Sequence, residues 1–120
     1  MIRTIENLVF KGGGVLGIAY AGAIEALEKQ GILSQVKRTA GTSAGAVAAA
    51  LISLGYSSKE IVEVLGDTNF KKFQDGLNAL KLTTKYGLYR GEKLLTWLQE
   101  IIEQKTGNKN LTFAELEKQG

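Results

Sequence analysis

The residues best suited to chemistry are Gly41-Thr42-Ser43-Ala44-Gly45, which fit the pattern G-x-S-x-G. In that pattern a strand turns sharply into a helix and lifts a serine hydroxyl above the edge of a sheet. The glycines matter because such a turn crowds backbone against backbone and leaves no room for a Cβ atom. A hydroxyl at that place also faces the unpaired N–H groups and the positive dipole end of the helix. The chemistry implied is nucleophilic acyl transfer through Ser43. The competing reading is a glycine-rich entry to a tightly packed helix.

A second glycine cluster, Gly12-Gly13-Gly14-Val15-Leu16-Gly17, lies between a strand and a helix. Successive N–H groups in such a loop can form a nest for a negative oxygen. In acyl transfer that oxygen is the developing oxyanion, and removing one donor of its hole typically costs ~10²–10³ in kcat. The same six residues also match G-x-G-x-x-G, the dinucleotide fingerprint. A nucleotide-binding module would use Gly12, Gly14 and Gly17, and would want an acidic residue about 20 positions further on. Lys37 and Arg38 stand there instead, which suits the 2′-phosphate of NADP but leaves the Ser43 turn without a purpose.

Both motifs need elements to carry them. Leu8, Val9 and Phe10 read as a buried strand ending at the first glycines, and Val36 to Ala40 as a weaker second strand. From Val15 to about Gln30 the spacing of Ile18, Ala21, Ile24 and Leu27 predicts a helix that Gly31 stops. The helix from Ala44 to Leu54 is apolar or small on every side and belongs between a sheet and another layer. Ser57 and Glu60 have the spacing of a capping box, for a helix through Leu65 ended by Gly66. Residues 67–90 are irregular and basic; Leu77, Leu80, Leu82, Tyr86, Leu88 and Tyr89 within them suit either a lid at a lipid surface or a solvated loop. Leu94, Leu95, Leu98, Ile101 and Ile102 predict an amphipathic helix closing near Gly107, with Trp97 packed in its seam, and Thr112 with Glu115 caps a last one. Strands alternating with helices imply an α/β fold with a parallel sheet.

Composition narrows the chemistry further. The 120 residues hold neither histidine nor cysteine. A Ser-His-Asp triad is therefore impossible within the chain, as is a disulfide, and a soft-metal site loses its main ligands. No metal and no cofactor are expected. The apolar run Ala44 to Leu54 has 11 residues, well short of the ~20 that span a bilayer. Residues 1–11 lack the architecture of a secretory signal, so a cytoplasmic location is expected. A net charge of +3 permits attraction to anionic lipid or nucleic acid without arguing for either, and no nucleic-acid partner is expected.

The stretch Val9 to Gly22, followed by Gly41 to Ala46, resembles the patatin-like phospholipases. Residues Tyr86 to Leu94 and Leu111 to Leu116 are also similar to that family. The resemblance implies a three-layer α/β/α fold and a lipid acyl hydrolase with a Ser-Asp dyad, acting on phospholipid or another acyl ester, with peripheral membrane contact. The family's serine maps onto Ser43 and its oxyanion loop onto Gly12, Gly13 and Gly14. Many members carry a basic residue where this chain has Leu16. The family's catalytic aspartate lies in a D-G-G or D-G-A motif well downstream of the serine. This chain has two aspartates, Asp67 and Asp75, and Asp75-Gly76-Leu77 supplies the first two letters in the wrong region. Asp75 is thus a weak candidate for the dyad base, and a surface turn is its plainer reading. The expectation is a truncated, N-terminal portion of a single patatin-like domain. A chain of that kind would expose a sheet edge through which it could associate, or would need a partner.

Overall fold

The computed structural model describes residues 4–13, 19–68 and 91–119. They fall into two units, divided after Thr68. In the first, strand β1 (Asn7–Phe10) leads to helix α1 (Ala19–Lys29), a 3-10 turn at Leu33–Gln35, strand β2 (Arg38–Gly41), helix α2 (Ala44–Ser53) and helix α3 (Ser58–Asp67). The two strands pair in parallel, with Asn7 opposite Arg38 and Phe10 opposite Gly41. The ladder is seeded just before β2, where the N–H groups of Lys37 and Arg38 both donate to the Glu6 carbonyl, at 2.8 and 3.0 Å. That contact starts β2 two residues later than the sequence pattern suggests.

Helix α2 covers one face of this sheet. Gly45, Ala48, Ala49 and Leu51 are its buried residues, and the absence of a side chain at Gly45 lets its backbone come close to β1. Thr39 of β2 is tied to it: the hydroxyls of Thr39 and Ser53 lie 2.6 Å apart, one donating to the other, and both stand within 3.0 Å of the Ala49 carbonyl oxygen. The other face carries Asn7 and Val9 of β1 and Arg38 and Ala40 of β2, all exposed, with Val9 at 79%. The apolar run Leu8-Val9-Phe10 is therefore not buried throughout; only Phe10 is, with Leu8 half-buried. Helix α2 is likewise covered on one side, since Ala46 and Ala50 are exposed. The layer expected over the open face is not supplied by the described residues.

Helix α1 packs on α3 and buries Ala21 and Ile24, with Leu27 half-buried, as its spacing predicts; Ile18 lies outside the described residues. It ends in a Schellman turn: Gly31 has φ +69°, its N–H donates to Glu28 and the N–H of Ile32 donates to Leu27. The same turn ends α2 at Gly55, with Tyr56 bonding back to Leu51. The capping box at Ser57 is formed in both directions. A second carboxylate joins it, since Glu28 of α1 accepts from both the N–H and the hydroxyl of the buried Ser58. Helix α3 does not stop at Gly66 but runs to Asp67. One glycine costs only ~1 kcal/mol in a helix, too little to override the buried stripe of Ile61 and Leu65.

In the second unit, helix α4 (Glu92–Thr106) ends at Gly107, with φ +72° and its N–H on the Glu103 carbonyl. Ile101 is buried and Trp97, Leu98 and Ile102 half-buried, whereas Leu94 and Leu95 are exposed. Helix α5 (Phe113–Lys118) opens on a capping box between Thr112 and Glu115.

Candidate active site

The link from β2 to α2 is a tight turn at Thr42 and Ser43. Its close packing forces glycine on both sides. A Cβ on Gly41 would lie 2.1 Å from the Gly45 carbonyl oxygen, and one on Gly45 would lie 2.4 Å from that of Phe10. These contacts are with backbone, which cannot rotate away as a side chain can. The crowding expected of a strand-to-helix elbow is present.

Ser43 occupies the apex with φ +53° and ψ −128°, and it is the one non-glycine residue of positive φ among those described. A backbone of this kind costs of order 1–3 kcal/mol and persists only where its surroundings impose it. Ser43 is also the N-cap of α2, yet its side chain makes no capping hydrogen bond. A serine at an N-cap ordinarily spends its oxygen on the N–H two or three residues on. Here the N–H of Gly45 goes to the Thr42 carbonyl and that of Ala46 to the Ser43 carbonyl, each at 2.9 Å. Ser43 is exposed at the positive end of a helix, and its hydroxyl makes no capping hydrogen bond among the described residues.

The first glycine loop meets this turn. A Cβ on Gly12 would lie 3.1 Å from the Ser43 Cβ, so loop and serine are direct neighbours. The Gly12 N–H, however, donates to Thr42 Oγ1 at 2.9 Å, and the Thr42 N–H donates to the Phe10 carbonyl at 3.1 Å. The Gly12 amide is thus engaged within the fold, which removes it from the oxyanion donors expected of this loop. Gly13 is exposed; Gly14 and Gly17 lie outside the described residues, as does Asp75.

One side chain not singled out from the sequence also bears on the loop. The Tyr20 hydroxyl donates to the Lys11 carbonyl, and its ring stands edge-on to Phe10 at 5.2 Å between centroids. The available signal was a tyrosine in the first turn of the helix that follows the loop. Lys37 and Arg38 are turned to local partners: Lys37 Nζ lies 2.6 Å from Glu6 Oε1, and Arg38 donates to the Asn7 side chain at 3.1 Å. The hydrogen bond from Lys37, and then its charge, hold the Glu6 carboxyl below its ordinary value, with Arg38 adding a smaller effect. No group of three or more possible metal ligands occurs among the described residues, and no described helix is long and apolar enough to cross a membrane.

A parallel strand pair carries the serine elbow, and the glycine loop stands against it within a small α/β unit. The sequence profile described as Patatin-like phospholipase matches residues 8–119, so the chain belongs to the patatin-like phospholipase family. It is 41% identical over 106 residues to the uncharacterized protein YqhO of Bacillus subtilis, covering 81% of this chain and 36% of that one. It is 40% identical over 74 residues to the mouse omega-hydroxyceramide transacylase, covering 58% of this chain and 12% of that protein. Among solved structures it is similar to the type III effector ExoU of Pseudomonas aeruginosa, at TM-score 0.58 and 31% identity, over 82% of this chain and 15% of that one. The chain spans little more than a third of the length of YqhO.

Proposed function

We propose that Ser43 is the nucleophile of a lipid acyl hydrolase whose substrate is a phospholipid or another acyl ester. The observation that carries this is the conformation of Ser43: a strained backbone at a helix N-cap whose hydroxyl performs no capping. A merely structural serine there would relax or cap, and strain of this kind gathers at functional sites.

In the proposed reaction Ser43 Oγ attacks the acyl carbonyl carbon while a carboxylate takes its proton. Amides of the loop that follow Gly12 receive the negative oxygen. The ester bond then breaks, the proton passes to the leaving alcohol, and an acyl-serine remains. Water attacks that ester in turn, releasing the fatty acid and restoring the hydroxyl. A transacylase among the relatives fits the same acyl-serine, with an alcohol replacing water as acceptor. The carboxylate is an aspartate by analogy with the family. No D-G-G or D-G-A sequence occurs in the 120 residues, so Asp75 is the candidate that this chain itself can test. An aspartate near its aqueous pKa of about 3.9 is a weak base, and desolvation in a dry, lipid-facing pocket would strengthen it.

The test is intact-mass labelling with a fluorophosphonate, comparing the chain with Ser43→Ala and Asp75→Asn. A single adduct that vanishes in Ser43→Ala supports the assignment, and its loss in Asp75→Asn as well would place the base at that residue. A folded chain that takes up no adduct refutes the reading of these residues as an active site in themselves.

A further inference from the structure

The carbonyl of Lys11 and the N–H of Gly12 belong to one peptide group, and the structure holds both ends of it. The Tyr20 hydroxyl donates to the carbonyl, and the N–H donates to Thr42 Oγ1 at 2.9 Å. In a trans peptide these two bonds point in opposite directions across a rigid plane. Tyr20 comes from α1 and Thr42 from the elbow, so the plane is gripped from two separate elements. Resting on the assignment of Ser43 as nucleophile, we propose that Tyr20 and Thr42 form a clamp on the Lys11–Gly12 peptide. The clamp orients the oxyanion loop for acyl transfer, and both act as positioning residues.

The need for a clamp follows from the sequence. Gly12 has no Cβ, so rotation about its φ meets little steric resistance, and the following residue is glycine too. A loop of this composition could turn its peptide over at small cost. Turned over, the Lys11 carbonyl would face Thr42 and Ser43, presenting a negative dipole where a negative oxygen has to form. The same turn would break both hydrogen bonds at once, which penalises it twice. Glycine is nevertheless favoured at position 12, because a Cβ there would stand 3.1 Å from the Ser43 Cβ and 3.2 Å from the Thr42 carbonyl oxygen. The tight approach calls for a residue without a side chain, and the two hydroxyls restore the rigidity that its absence removes.

The test pairs amide hydrogen exchange with labelling, on the full chain and on the variants Thr42→Val, Thr42→Ser, Tyr20→Phe and the double variant Tyr20→Phe with Thr42→Val. Thr42→Val keeps the shape and removes the acceptor, so exchange at the Gly12 amide should quicken about 3- to 10-fold. Thr42→Ser should restore it to within about twofold, as the hydroxyl returns. The decisive variant is Tyr20→Phe. It touches only the carbonyl end, yet should quicken exchange at Gly12, and the double variant should exceed either single one. Fluorophosphonate labelling at Ser43 should slow most in the double variant, by about tenfold, with Thr42→Ser near wild type. Unchanged Gly12 exchange in Tyr20→Phe would overturn the clamp, because the two bonds would then act independently. Equal slowing of labelling by Thr42→Ser and Thr42→Val would overturn it too. If the wild-type chain takes no label, the assignment of Ser43 fails and the proposed catalytic role falls with it, while exchange still decides whether the two hydroxyls hold the peptide.

Discussion

Replacing Gly45 by alanine puts one methyl group between α2 and the end of β1. Its Cβ would lie 2.4 Å from the Phe10 oxygen, 2.7 Å from the Phe10 carbonyl carbon and 2.8 Å from the Lys11 oxygen. The first of these is about 1 Å inside ordinary contact, and all three neighbours are backbone. The strand cannot simply withdraw, because the Phe10 oxygen also accepts the Thr42 N–H at 3.1 Å, a bond that holds the elbow to β1. Relief therefore requires α2 to lift from the sheet. Overpacking of this kind costs about 1–3 kcal/mol, and the strained backbone bond adds about 0.5–1.5 kcal/mol. A total near 3 kcal/mol would lower Tm by about 10–20 °C in a domain of this size. Gly22→Ala is the internal control, since it lies within α1 with nothing within 4 Å of a Cβ. There the gain in helix propensity should raise Tm by a few degrees, from about 0.5–1 kcal/mol. Thermal unfolding followed by far-ultraviolet circular dichroism reads both. A Gly45→Ala chain melting within about 3 °C of wild type would refute the close packing of elbow and strand.

Three further outcomes follow from the same contacts. Ser43→Gly removes the Cβ from the positive-φ position and Ser43→Ala keeps it, so in urea unfolding the glycine variant should be the more stable by about 1 kcal/mol; the reverse order would mean that Ser43 carries no strain. Glu28→Ala strips the acceptor from the buried N–H and hydroxyl of Ser58 and should cost about 1–3 kcal/mol, against about 1 kcal/mol for loss of the Ser57 cap in Ser57→Ala, both read by the urea midpoint. Glu6 and Glu115 are held below the ordinary 4.5, Glu6 chiefly by its hydrogen bond with Lys37 and Glu115 by those from Thr112. A lowered folded-state value means that the unfolded chain binds protons more readily, so this stability is present above about pH 4.5 and is lost as the pH falls through the folded values. Lys37→Ala should move the Glu6 titration, followed by carboxyl NMR, back toward 4.5; no movement would show that the Lys37 pair is not formed.

The elements legible in the sequence are those whose signals are local. The capping boxes at Ser57 and Thr112, the stop at Gly31 and the close at Gly107 each depend on residues three to five positions apart, and each formed as read. The stop at Gly66 did not hold. A glycine's local penalty is small beside the burial of Ile61 and Leu65, and that burial depends on the distant helix α1. For the same reason Leu8-Val9-Phe10 reads as wholly buried in sequence, while in the fold Val9 faces outward beside Ala40.

The candidate site divides along the same line. The sequence alone determined that G-x-S-x-G places a serine at the elbow and that no imidazole within this chain could take its proton, since there is no histidine. It also determined that both approaches to the turn are glycine. The tertiary structure decided which hydroxyl is spent and which is not. Thr42 accepts the N–H of Gly12, 30 residues away, and Tyr20 holds the other end of that peptide, while Ser43 is left with its strained backbone and no cap to make. No local pattern encodes that division, because it follows from the parallel register that sets Phe10 opposite Gly41 and brings the two glycine loops side by side.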